Sequence, residues 1–284
     1  MAAFVALTGL KVGFLREDHV TNGAGTVLFY QRPVLLDRVA HRQARVNMRN
    51  ANFAFTQKTN SVPVTALEFG RAATEYPIVF AGPSPDRLMP VVVLGLRNEE
   101  NLFVNAEGKW TGVYVPAFIR RYPFVLAERN NAQDLSVCVD TAFSGWHDSR
   151  TAAGSAENGS PTPDGTDSGE ALFDEQGAET PFLKNVLEFL GQYQGNIRHT
   201  QTFVQKLNEL NLLVGREIHA RDTANQPLAL RGFFAVDEAK LNALNDTQIA
   251  ELYRQGFLGL VLAHLISLGN IARLEMRLRS GEAR

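Results

Sequence analysis

One phrase in the chain is used twice. Tyr76-Pro77-Ile78-Val79-Phe80-Ala81 recurs as Tyr122-Pro123-Phe124-Val125-Leu126-Ala127, and each copy follows a Val-Pro step, Val62-Pro63 and Val115-Pro116, across a short stretch compatible with a helix. Proline has no backbone N–H and pushes the residue before it out of the helical region. Each Tyr-Pro pair therefore stops a helical segment and opens a strand, and the two units together predict a pseudo-repeat that sets the sheet. The missing donors confine both prolines to strand starts or edges.

The first unit is the more fully specified. Thr65 and Glu68 have the spacing of a capping box, and Val64 and Phe69 that of a hydrophobic staple. Val91–Leu96 is a continuous apolar run of buried-strand length, Leu102–Val104 follows a turn, and Lys109–Val115 alternates like a half-buried strand, so 91–115 reads as an antiparallel meander. Leu135–Val139 supplies one more strand.

The composition then breaks. Residues 151–169 contain no Ile, Leu, Met, Val or aromatic side chain, and 144–180 hold eight acids against one arginine. Such a stretch has nothing to bury and predicts an acidic flexible loop. After it, Thr180-Pro181 starts a helix. Val186, Leu190, Tyr193, Ile197, Thr200, Val204 and Leu207 recur at alternating spacings of 4 and 3, which predicts one long helix ending near Asn211. Glu217–Arg221 and Leu228–Val236 read as a hairpin, Asp237 caps a short helix, and a last long helix is expected from Asp246 through Leu274. Leu258–Leu268 is apolar on nearly every face. It belongs either in the core or in a subunit interface, the latter making a homodimer through the C-terminal helix, testable with Leu265→Glu.

The expected fold is α+β: a mostly antiparallel sheet packed against two long C-terminal helices. Residues 1–28 read as an N-terminal extension, 29–143 as the β-rich half, 144–180 as the loop and 181–284 as the helical half with its hairpin, with 29–284 a single domain.

A formal net charge of -2 gives no reason to expect nucleic acid as a partner. Residues 1–50 carry seven basic against three acidic side chains, but the arginines have neither period nor aromatic interleaving, and a solvated surface is the simpler reading. No membrane insertion is expected, since the longest apolar run, Phe257–Leu268, falls short of the roughly 20 residues a span needs. One cysteine, Cys138, excludes an intramolecular disulfide and favours a cytoplasmic location over export. Its apolar strand pattern marks it as an inert buried thiol.

Residue patterns that carry chemistry are few in this chain. The six histidines are scattered without metal-ligand spacing, and there is no Gly-x-Ser-x-Gly elbow, Walker loop or deaminase motif. No cofactor, metal or catalytic residue is assigned. Arg120 and Arg121 beside Tyr122 form a basic pair suited to a carboxylate or phosphate, and His219 and His264 complete the candidate ligand-binding set. His264, with no carboxylate or nucleophile one helical turn away, reads more simply as a satisfied core or interface histidine.

Several phrases taken together resemble the bacterial SapC family: Phe29–Leu36, Thr59–Phe69 with Tyr76–Phe80, Glu100–Val104, Tyr114–Phe124, Leu172–Asp174, Gly232–Glu238, Leu241–Leu244 and Ala263–Asn270. The likeness runs from about Phe29 to Leu274, in order and across both halves. The resemblance implies an accessory role in the uptake of a peptide or other substrate, or in a surface layer. It brings no site residues, and it does not concern the membrane permease that shares the name. The leading expectation is a non-enzymatic binding or scaffold protein for a peptide, glycan or protein partner. The alternatives are an enzyme assembled from Arg120, Arg121, His219 and His264, and a structural surface-layer component.

Overall fold

The computed structural model describes residues 2–4, 15–16, 28–49, 51–129, 134–148, 169–222 and 224–281. Residues 149–168 of the expected acidic loop, and most of the expected N-terminal extension, lie outside these. The strands are β1 (Ala2–Phe4), β2 (Leu15–Arg16), β3 (Pro33–Leu35), β4 (Arg45–Val46), β5 (Ser61–Pro63), β6 (Ile78–Ala81), β7 (Met89–Val93), β8 (Phe124–Arg129), β9 (Asp134–Asp140), β10 (Trp146–His147), β11 (Glu170–Ala171), β12 (Leu213–Arg221) and β13 (Pro227–Val236). The α-helices are α1 (Phe69–Ala72), α2 (Ala117–Arg120), α3 (Pro181–Glu209), α4 (Glu238–Asn242), α5 (Asp246–Arg254), α6 (Phe257–Ser267) and α7 (Asn270–Ser280). The protein is α+β, with mostly antiparallel sheets and its helices concentrated toward the C-terminus.

The chain forms two compact units that interleave in sequence. One comprises residues 1–10, 52–120 and 193–284, the other residues 11–51 and 121–192. Each takes one copy of the twin phrase. In the first unit β6 lies in a sheet ordered β1-β13-β6-β7-β5, with β12 on the other side of β13; in the second β8 lies in a sheet ordered β2-β8-β9-β3. The two prolines do the same work. The Pro77 carbonyl accepts from Val93 N–H and the Pro123 carbonyl from Asp140 N–H, each at 2.9 Å, so each proline extends a ladder by an acceptor without owing it a donor.

In the second unit the β8 side chains alternate between two clusters. Phe124 and Leu126 pack with Val139, Leu172, Leu183 and Leu190, while Val125 and Ala127 pack with Tyr30 and the buried Cys138. A small sheet, β10-β4-β11, completes that unit. Asp140 is fully buried and accepts from the N–H groups of Gln31 (2.9 Å), Arg32 (2.9 Å) and Ala142 (3.0 Å).

In the first unit the aromatic core centres on Phe203, whose ring lies 5.8 Å from Phe69, 6.2 Å from Phe80 and 5.3 Å from Phe257. The apolar stripe predicted along α3 is buried at Tyr193, Ile197, Val204 and Leu207 in this unit and at Leu190 in the second. Thr200, the one polar residue of that stripe, caps the first turn of the Thr65 helix from outside, its Oγ1 accepting from Ala66 N–H (2.8 Å). That turn carries the expected capping box, and Val64 and Phe69 are both buried.

Two expectations are corrected. Lys109–Val115 forms no strand; only a bridge joins Val104 to Trp110. Its alternation survives in burial, but side chains occupy the donors a ladder would use. Glu75 accepts from the N–H groups of Val113 (2.9 Å) and Tyr114 (3.0 Å), and Glu68 accepts from Ala117 N–H and the Tyr114 hydroxyl, each at 2.7 Å. The last helix is three helices. Asn245 caps α5 in a capping box with Gln248, Gly256 ends it at φ 74, and a turn at Leu268-Gly269 separates α6 from α7. Taken end to end, Phe257–Ser280 is long and apolar enough to cross a membrane by length and composition. Its polar side chains bind protein instead. Ser267 Oγ accepts from Ile78 N–H (2.9 Å), Asn270 Nδ2 donates to the carbonyls of Ala73 (2.7 Å) and Tyr76 (3.2 Å), and His264 Nδ1 lies 2.8 Å from Ile78 O. The segment Ala263–Asn270 thus clips the first Tyr-Pro strand through its backbone.

Candidate binding site

The β12–β13 hairpin is closed at both ends by hydrogen bonds: Asp222 N–H to Gln226 O (3.0 Å) at the turn and Asp237 N–H to Leu212 O (2.9 Å) at the open end. Antiparallel ladders alternate, so the even-numbered residues of β12 bond to β13 and the odd-numbered ones, 213 to 221, turn their N–H and C=O to the outer edge. The register slips where Arg231 and Gly232 face Glu217, and Gly232 takes φ 81, a left-handed conformation that a side chain would strain. The extra residue is on β13, so β12 keeps its alternation. Among the described residues β12 has a neighbour on one side only.

A groove of about 700 Å³ runs beside this hairpin, lined by Gly215, Glu217, His219, Arg231 and Phe234, with Gly82–Pro85 as its opposite rim. Glycine is required at position 82, because a Cβ there would stand 2.0 Å from Arg87 O. The groove continues past Pro85 and Phe234 into a depression of about 780 Å³ flanked by Gln201, Gln205 and Asn208 of α3. On its floor Glu217 holds Arg231 at 3.1 Å (Oε1 to Nε) and lies 3.6 Å from His219 Nε2. In a third depression of about 440 Å³ both arginines are engaged internally: Arg97 pairs with Glu100 (3.1 Å) and Asp222 (3.2 Å), and Arg277 lies 4.4 Å above the Phe103 ring.

Of the five residues expected from sequence, only His219, its side chain 74% exposed, lines the groove. Arg120 is exposed, donates from Nε to Val115 O (3.0 Å) and sits 5.8 Å over the Tyr114 ring. Arg121 and Tyr122 belong to the other unit: Arg121 is buried, 5.9 Å from the Tyr30 ring, and Tyr122 donates to Asp140 (3.3 Å). Burial, and then the Asp140 charge, push the Tyr122 phenol up. His264 is sealed in the core. Its Nε2 accepts from Val236 N–H (3.0 Å), so the neutral ring carries its proton on Nδ1, facing Ile78 O. Burial lowers its pKa to about 4. Among the described residues no group of three or more His, Cys, Asp or Glu is placed to hold a metal ion.

The groove residues missed from sequence are Arg216, Glu217 and Arg231. For Glu217 the signal is the polar alternation Gly215, Glu217, His219, Arg221 on a strand whose even positions Ile218 and Ala220 are buried; Arg216 breaks that alternation, and Arg231 reaches the groove only through the register slip. No curated protein and no solved structure matches the chain. The family model of SapC matches residues 36–274, well over half of the sequence, and the chain belongs to the SapC family.

Proposed function

We propose that this SapC-family protein is a non-enzymatic binding protein that holds a peptide or protein partner in the groove beside β12. The observation that carries the reading is the composition of that strand. Glu217 and His219 stay exposed over a groove of about 700 Å³ while Ile218 and Ala220, which alternate with them, are buried in the core. An accessory role in uptake or in a surface layer is the context in which such a partner would be met.

The test begins by panning the full-length protein against displayed random peptides. Gly215 offers the blocking substitution, because a Cβ there meets nothing within 4 Å and its φ is ordinary, so the fold tolerates Gly215→Tyr while the ring fills the groove. Selected peptides should bind Gly215→Tyr at least about tenfold more weakly than the parent, a difference of about 1.4 kcal/mol. Equal binding by both proteins, or no selectable peptide, defeats the proposal.

A further inference from the structure

The outer edge of β12 has pockets on both faces of the sheet. On the odd-numbered face lies the polar groove with Glu217, His219 and Arg231. On the even-numbered face a second pocket, about 430 Å³, has an apolar wall of Ile218, Ala235, Val236, Leu265, Leu268 and Ile271, the last three from α6, the turn after it and α7, and is also lined by the acidic Asp237 and Glu238. Arg216 and Glu217 line both, so the two pockets flank the same stretch of backbone. Unused N–H and C=O groups on a strand edge are a template for another strand, and successive residues of an added strand point to opposite faces.

We propose that β12 takes an extended peptide as an added strand, its apolar side chains entering the pocket beside α6 and α7 and a carboxylate-bearing side chain meeting Arg231 in the groove. The inference rests on the binding reading above and specifies how the ligand is held. Main-chain bonds to β12 supply the affinity and the two pockets the sequence preference. The acidic preference rests on Arg231, because Arg216 is already held by Asp237 at 3.1 Å. Glu217 engages Arg231 through Nε, which leaves the Nη donors of Arg231 without a partner among the described residues. A guanidinium so placed takes a second carboxylate readily. The site ends at Arg221, whose N–H is already given to Glu275 Oε1 (3.2 Å), so the added strand pairs with Leu213–His219.

The test uses peptides selected from a random display library on the full-length protein, with His219→Ala and His219→Pro compared. Both variants lose the imidazole; only the proline loses the outward N–H, and the edge accommodates it because that N–H takes no part in the ladder with β13. Circular dichroism and urea unfolding establish that both are folded. The expected result is a consensus of alternating apolar and acidic residues, with binding to His219→Pro about tenfold weaker than to His219→Ala. A consensus without period two, or equal binding by the two variants, overturns strand addition, and the groove reading survives if Gly215→Tyr still weakens binding. If no peptide is selected, both fall.

Discussion

Replacing His264 with leucine puts a number on the clip that holds the first Tyr-Pro strand. The ring bridges two backbone groups on strands that share only one paired position, Phe234 with Phe80: Val236 N–H donates to Nε2, and Nδ1 faces Ile78 O. Leucine fills the volume and leaves both groups buried without a partner, which costs about 1–3 kcal/mol each at pH 7. The pH dependence is more diagnostic. Burial lowers the His264 pKa to about 4, against about 6.5 in the unfolded chain. The folded protein therefore resists a proton that the unfolded chain accepts. The contribution of His264 is intact above about pH 6.5 and is lost as pH falls toward 4, by about 3 kcal/mol in all, at about 1.4 kcal/mol per pH unit. Urea unfolding of both proteins from pH 4 to pH 7 separates this from every other titrating group, because the rest are common to the pair. The stability advantage of the parent over His264→Leu should shrink by about 3 kcal/mol across that range. A constant difference would refute the assignment of a neutral, doubly bonded ring.

Glu68→Gln should destabilise the protein by about 3 kcal/mol in denaturant titration, since the amide keeps a single acceptor oxygen and must set its NH2 either against Thr65 N–H or against the Tyr114 hydroxyl and Ala117 N–H. The Tyr114 phenol, pushed up to about 12 by burial and then by Glu68, should titrate lower in that variant by ultraviolet absorbance, and an unmoved phenol would place the carboxylate elsewhere. The homodimer through the C-terminal helices, which we retain as a proposal, is carried by the exposed Leu262, Ile266 and Met276. Leu265 lines the apolar pocket, so Ile266, 73% exposed, is the residue to change: Ile266→Glu should halve the mass seen by light scattering, and a monomeric parent protein would contradict the proposal.

Local chemistry is legible in the sequence and long-range partnership is not. Thr65 and Glu68 lie three residues apart, and their spacing names the capping box. The same carboxylate also holds Tyr114 and Ala117, nearly fifty residues away, and no local pattern announces that. For this reason Lys109–Val115 reads as a strand: its side chains alternate as a strand's do, but the N–H groups of Val113 and Tyr114 go to Glu75. The α3 stripe follows from its period, yet Phe203, the centre of the aromatic core, lies off the positions counted. The break at Gly256 is within reach, since a glycine directly before an apolar run is a common helix stop, and the strength of the pattern through Leu274 masks it. The candidate groove needs the hairpin register. His219 and Arg231 are twelve positions apart in sequence, and they meet at the groove because Glu217 faces the slip at Gly232.

Amide hydrogen exchange on the full-length protein, with and without a saturating selected peptide, tests the binding role most directly. The even-numbered amides of β12 are already committed to β13, and that of Arg221 to Glu275. The peptide should slow exchange at Gly215, Glu217 and His219, with no change at Arg216, Ile218 or Arg221. Slowing that falls outside β12, or equally on its odd and even positions, would contradict that role.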